Sequence, residues 1–162
     1  MFTMIMGVPL HPILVHTAVV FVPLLALVSV LYALLPRLRP KIRLTLTVLA
    51  IITPIFVLFT KLSGDAFFRR RQDRHAVTPD FIPKLQAHQH FGTLTLYATV
   101  VLAVLTLALL YFVRPATADG AAASSGALGL VVRVLVVIAA IVAVYYVFRT
   151  GDSGGKIVWS GA

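Results

Sequence analysis

The sequence predicts an all-α integral membrane protein, a bundle of four transmembrane helices with both termini on one side of the membrane. Three observations predict it. Of 162 residues, 60% are hydrophobic and 12% charged, and the mean hydropathy is +1.00. A soluble domain carries roughly 25% charged residues, and so apolar a chain cannot cover itself with polar surface. Four apolar runs each have the length a bilayer requires, about 20 residues, and the basic residues fall mostly between them. These observations exclude a secreted globular enzyme, a nucleic-acid-binding domain and a disordered tail. A single transmembrane domain over residues 1–162 is expected, with spans at about 12–35, 42–63, 86–113 and 127–148.

Residues 1–36 carry no formal charge, so the basic n-region of a cleaved signal peptide is missing. The first helix runs from Pro12 to Leu35, closed by Pro36 and Pro40, with Pro23 inside it. Proline removes a backbone donor and bends a helix. A short basic connection, Arg37 to Arg43, leads into the second helix, which contains Pro54. Gly64 is the expected stop. The polar segment from Gly64 to about Gln86 holds Arg69, Arg70, Arg71, Arg74 and His75 and suits the headgroup level. The third helix ends at Arg114-Pro115. An Ala/Ser/Gly-rich loop, 116–126, reads as flexible. In the fourth helix, Arg133 can snorkel to the interface, and Ala139 and Ala143 have a small-xxx-small spacing. Gly151 is its expected end, with Gly154-Gly155 letting the tail turn back. No internal repeat is visible.

Four spans distribute the side chains unequally. His11, His16, His75, His88 and His90 all fall on one face of the membrane, with Asp65, Asp73, Asp80 and Asp152. The other face has Asp119 alone. The basic residues divide more evenly. Lys61, Arg69, Arg70, Arg71, Arg74, Lys84, Arg149 and Lys156 lie on the histidine face; Arg37, Arg39, Lys41, Arg43, Arg114 and Arg133 lie on the other. That division sets no orientation. The net charge of +9 points to anionic lipid headgroups as partners and not to nucleic acid. With no cysteine, disulfides and thiolate chemistry are excluded.

His11 precedes Pro12 at the start of the first helix and His16 lies about one turn deeper. His88 and His90 hold the matching place on the third helix, which runs in the same direction. Two apart, His88 and His90 point to different faces, and His16 with His88 is the expected pair. Facing histidines in a membrane bind haem iron or a divalent metal, relay protons or hold a quinone headgroup. The helix N-termini at this face favour anionic groups such as haem propionates. The ordinary alternative is interfacial histidines bonded to backbone and water. Gly151-Asp152-Ser153-Gly154-Gly155 matches the segment around the serine of trypsin-like proteases letter for letter. It lacks the double β-barrel that makes that serine a nucleophile, so no catalytic residue is assigned.

Gly7-Val8-Pro9-Leu10-His11-Pro12-Ile13-Leu14-Val15-His16 resembles the opening signature of a bacterial membrane family catalogued as domain of unknown function 2231. His88-Gln89-His90-Phe91-Gly92 resembles its element at the start of the third helix, and Thr150 to Gly161 its closing element. The resemblance spans nearly the whole chain and implies a multi-pass protein of the bacterial cytoplasmic (inner) membrane. It marks His11, Pro12, His16, His88, Gly92, Gly151, Gly154 and Gly155. Thr17-Ala18 departs from an aromatic and a proline, and Asp152 stands where the family usually has a histidine. Aspartate is a poor haem axial ligand but binds hard or borderline metals.

The leading expectation is a small redox component binding haem b or a divalent metal and working with a redox partner protein. His16 and His88 would hold the cofactor; the metal-binding set would be His11, His16, His88 and Asp152. A non-enzymatic anchor or assembly subunit is the alternative, and a small transporter or proton relay the third.

Overall fold

The computed structural model describes residues 4–5, 8–74, 77–113 and 126–159. His75 and Asp119 lie outside them. Two short strands, β1 (Met4–Ile5) and β2 (Val8–Pro9), pair antiparallel ahead of the first helix. Four helices follow: α1 (Leu10–Leu34), α2 (Arg39–Asp73), α3 (Ile82–Phe112) and α4 (Ala127–Trp159). All four are long and apolar enough to cross a membrane. Short 3-10 turns at Pro36–Leu38 and Pro79–Phe81 lead into α2 and α3. Prolines near the starts of α1, α2 and α3 occupy first-turn positions, where their missing donors cost little. Pro23 and Pro54 lie inside continuous helices.

Two expected helix ends are corrected. Gly64 does not stop α2, which continues to Asp73, and Gly151 does not stop α4, which continues through Gly154-Gly155 to Trp159. The tail extends the helix and does not turn back. Glycine in a helix interior costs about 1 kcal/mol relative to alanine, so local propensity alone favours a stop. Tertiary contact overrides it. Gly64 and Gly154 each have a histidine ring packed on the Cα, where a Cβ would come within 2.8 and 2.9 Å of His11 and His88. At about 1.5 Å per residue, the 35 residues of α2 reach about 52 Å, beyond a hydrocarbon core of about 30 Å.

The helices form a square bundle. α1 and α3 each pack on both α2 and α4, and meet each other only sparsely across the centre. The outward surface is apolar, with Val20, Leu44, Val104, Ile141 and Phe148 among its exposed side chains, as lipid contact demands. The interior mixes aliphatic side chains with hydroxyls: Ser29, Thr53, Thr99 and Thr106 are fully buried. Interhelical hydrogen bonds between small polar residues are a regular feature of membrane helices.

The interior also corrects the expectation that the chain has no repeat. The buried positions of α1 are Ala18, Val22, Leu25, Ala26, Ser29, Tyr32 and Ala33. A shift of 77 residues carries each onto a buried position of α3: Thr95, Thr99, Leu102, Ala103, Thr106, Leu109 and Leu110. A shift of 90 residues carries Arg39, Leu46, Leu49, Ala50, Thr53 and Val57 of α2 onto Gly129, Val136, Ala139, Ala140, Ala143 and Val147 of α4, all buried. The pair α1–α2 is therefore the same structural unit as α3–α4. The two units are related by an approximate two-fold axis running along the bundle. Equivalent residues of α1 and α3 meet on that axis: Ser29 Oγ lies 2.9 Å from Thr106 Oγ1.

Candidate functional site: a two-histidine centre at one end of the bundle

α1 and α3 begin, and α2 and α4 end, at the same end of the bundle. There the imidazoles of His11 and His88 meet, with ring centroids 6.2 Å apart and planes at 74°. The two residues are themselves related by the shift of 77 and so face each other across the two-fold axis. Both are half-buried.

Each ring is held by the same device. His11 Nδ1 lies 3.1 Å from the Thr60 carbonyl and 3.2 Å from Ser63 Oγ. The Ser63 hydroxyl donates to the Thr60 carbonyl at 2.7 Å. A carbonyl only accepts, so Nδ1 of His11 carries the proton and donates. His88 Nδ1 lies 2.9 Å from Ser153 Oγ, whose own proton goes to the Thr150 carbonyl at 3.0 Å. Ser153 Oγ therefore accepts, and Nδ1 of His88 also carries the proton. The Thr150 backbone adds a second contact to His88. In both neutral rings the lone pair is left on Nε2. The clamps recur in the sequence: Thr60-Lys61-Leu62-Ser63-Gly64 holds His11, and Thr150-Gly151-Asp152-Ser153-Gly154 holds His88, related by the shift of 90.

The surroundings break this symmetry. Between α2 and α3, Lys61 is ion-paired with Asp65 at 2.5 Å, and Gln89 Nε2 donates to Asp65 Oδ1 at 3.1 Å. Between α4 and α1 the equivalent positions are Gly151, Gly155 and Pro12. A Cβ at Gly151 or Gly155 would meet nothing within 4 Å. That open flank continues into an apolar groove of about 410 Å³ lined by Val19, Pro23, Val144, Val147, Phe148, Gly151 and Asp152.

The four residues expected to bind metal are not brought together. His11 and His88 meet. His16 is exposed on α1 and donates from Nδ1 to the Pro12 carbonyl of its own helix at 2.7 Å. Asp152 is ion-paired along α4 with Lys156 at 2.7 Å. Among the described residues no group of three metal-binding side chains converges. Of the expected pair, His88 lies at the centre and His16 outside it. The reading from sequence missed Thr60, Ser63, Asp65, Gln89, Thr150 and Ser153. The recurring Thr-x-x-Ser-Gly was the signal that could have found the clamps.

The profile of the family described as "Predicted membrane protein (DUF2231)" matches residues 7–162. The chain belongs to this family. Four helices long and apolar enough to cross a membrane agree with its description. No curated protein and no solved structure matches the chain. Within this DUF2231 chain, three of the positions marked by the motifs, His11, His88 and Gly154, converge at the centre. Pro12 and His16 are joined by their hydrogen bond. Gly92, Gly151 and Gly155 have nothing where a Cβ would point.

Proposed function

We propose that this DUF2231 protein binds one metal centre through Nε2 of His11 and Nε2 of His88, as a redox component of the bacterial cytoplasmic membrane. The observation that carries the reading is the pair of fixed tautomers. Both Nδ1–H groups are committed to carbonyl or hydroxyl acceptors, and both Nε2 lone pairs remain. Metal-ligating histidines are oriented this way, with the second ring nitrogen donating to a fixed acceptor. Two nitrogens about 2.0 Å from one ion place the ring centroids about 5–6 Å apart, according to the angle at the ion; the two rings here stand 6.2 Å apart. The competing occupant is a single water donating to both lone pairs, which would make the pair a proton-relay site.

Metal analysis and a visible spectrum of the purified protein in detergent separate these. One metal per chain is expected, lost in His11→Ala and in His88→Ala and retained in His16→Ala. A chain with neither stoichiometric metal nor a haem band overturns the reading.

A second observation favours an additional role as an anchor. The last turns of α2 extend past the span with Arg69 and Arg71 exposed, followed by exposed Arg74. Such a basic helix end suits anionic headgroups or an acidic face of a redox partner. Crosslinking from this end in native membranes should capture one defined protein; only lipid adducts would leave the headgroup role alone.

A further inference from the structure

Each half of the chain delivers one histidine to the two-fold axis, and the donor set they form is defined by what it lacks. Both nitrogens belong to neutral imidazoles. Among the described residues, no third histidine, aspartate or glutamate joins His11 and His88 in a metal-binding group. Asp65, whose charge acts on His11, is already engaged on both oxygens. Its Oδ2 pairs with Lys61 at 2.5 Å and its Oδ1 accepts from Gln89 at 3.1 Å. The hydroxyls of Ser63 and Ser153 are committed to Nδ1 and to backbone carbonyls. The centre therefore offers two nitrogens and no negative charge.

Space is restricted as well. Gly64 of α2 and Gly154 of α4 each lie against one of the rings. The Cβ that Gly64 lacks would stand 3.4 Å from His11 Nε2, and that of Gly154 3.7 Å from His88 Nε2. Each nitrogen is thus covered on one side by a helix. The centre suits a bare ion and not a planar cofactor.

Separation and charge decide which ion. With each Nε2 about 2.0 Å from a shared ion, a tetrahedral angle draws the ring centroids to about 5 Å, and an in-line arrangement holds them at about 6 Å. The rings stand 6.2 Å apart, at the in-line end. Rotation about an in-line axis leaves the angle between the planes free, so 74° is compatible with it. Zinc, calcium and magnesium take four or more ligands. The Born cost of burying an ion rises with the square of its charge, so a divalent ion costs about four times as much as a monovalent one of the same size. No carboxylate here offsets that. Monovalent copper carries a single charge, accepts imidazole and is satisfied by two ligands in line.

We propose that the ion of the two-histidine centre is Cu(I), held in line between Nε2 of His11 and Nε2 of His88 with no third ligand. This rests on the metal-binding reading above and adds the identity, charge and coordination number of the ion. Cu(II) asks for more ligands in a tetragonal arrangement. The two-nitrogen centre withholds them, favours the reduced ion and makes the couple an oxidising one, which suits a redox component.

The test titrates the full-length protein in detergent, anaerobically, with Cu(I) against bathocuproine disulfonate as competing chelator. Zn(II) is titrated in parallel. X-ray absorption at the copper edge counts the ligands of the wild-type chain and needs no variant. The variants are His11→Ala, His88→Ala, His16→Ala, His11→Met and His88→Met, each compared with wild type by circular dichroism and elution volume.

The wild-type chain should bind one Cu(I), with two nitrogen scatterers and the intense edge feature of two-coordinate Cu(I). Zn(II), short of two ligands, should bind at least about a hundredfold more weakly. His11→Ala and His88→Ala should each abolish Cu(I) binding, and His16→Ala should leave it unchanged. The two methionine variants should keep Cu(I), because a thioether is a soft ligand that selects it, and should hold no Zn(II). Three or more ligands at the copper, or loss of Cu(I) from folded methionine variants, overturns the proposal. A chain that holds one divalent ion through His11 and His88 as tightly as Cu(I) overturns this inference and leaves the metal-binding reading standing. A chain that binds no metal overturns both.

Discussion

Ser29 and Thr106 are equivalent residues of the two halves, and they hydrogen-bond to each other at 2.9 Å, deep in the bundle and fully buried. A residue meets its own counterpart only on a two-fold axis, so this contact marks where the axis passes. His11 and His88 mark it again at the end of the bundle.

The Ser29–Thr106 pair should behave as a coupled unit. Ser29→Ala and Thr106→Val should each destabilise the protein by about 0.6–1.7 kcal/mol, the range for such bonds between membrane helices. The double variant should cost less than the sum of the two, because removing both partners leaves no hydroxyl stranded. Unfolding in mixed micelles measures it, and strict additivity would count against a bond that couples α1 to α3.

Gly64 and Gly154 should tolerate no methyl group. Gly64→Ala drives a Cβ to 2.8 Å from His11 Cε1, and Gly154→Ala drives one to 2.9 Å from His88 Cε1. Displacing a packed ring typically costs about 1–3 kcal/mol, and both variants should lose ligand affinity at the histidine pair to a similar degree. Gly92→Ala, with nothing in its way, should be neutral or stabilise by up to about 1 kcal/mol. Thermal unfolding of the three variants side by side decides it; equal behaviour of all three would remove the steric argument.

The serine clamps should show up in affinity more than in stability. Ser63→Ala and Ser153→Ala leave each histidine in place but remove a fixed partner of Nδ1. Loss of such a partner typically weakens metal binding about 10–100-fold. The two effects should be similar, because each ring keeps a backbone partner, Thr60 for His11 and Thr150 for His88. Titration of the bound centre with a competing chelator checks it, and unchanged affinity in both variants would remove the clamps from the site.

Arg39 should prove structural and particular to arginine. It is 7% exposed, donates from Nε to the Tyr32 carbonyl at 3.0 Å and from Nη2 to the Ala33 carbonyl at 3.2 Å, and lies over the Tyr32 ring. It thereby satisfies carbonyls at the C-terminus of α1, which have no partner within their own helix. Arg39→Met should cost about 1–3 kcal/mol for the stranded carbonyls. Arg39→Lys should recover only part of it, since an ammonium cannot fork as a guanidinium does. Full recovery by lysine would mean that charge alone matters.

The four spans were legible because hydropathy over about 20 residues integrates a strong signal. The ends of α2 and α4 were not. Gly64 and Gly151 are stops by local rules, and only the contact of His11 with Gly64 and of His88 with Gly154 shows why glycine sits inside these helices. The repeat was hidden by two things. Equivalent core positions hold different residues, as in Ala18 and Thr95, Val22 and Thr99, Tyr32 and Leu109, or Arg39 and Gly129. The shift also changes from 77 to 90 residues between the first and second helix of each unit, which defeats a fixed period.

At the centre, His88 was legible and its partner was not. His11 looked like a capping residue ahead of Pro12, and His16 looked deeper and better placed. Helical phase reverses this: His16 shares the outward face with Val19 and Val20, and His11 turns toward Ser63 and Gly64. Asp65 was counted only among the acids of the histidine face, and Gln89 only within a motif, because a helix stopping at Gly64 would not set Lys61 and Asp65 one turn apart.

The parallel relation of the two units bears on how such a protein arises. A two-span hairpin that starts and finishes at one end of the bundle can be joined head to tail to a second copy with a short connection and no added crossing. Both copies then insert the same way up, in contrast to transporters whose halves are inverted. Tandem duplication of one small hairpin gene is enough to generate the whole architecture. Once fused, the copies are free to diverge, and here one carries a charged pair beside its histidine while the other carries glycines.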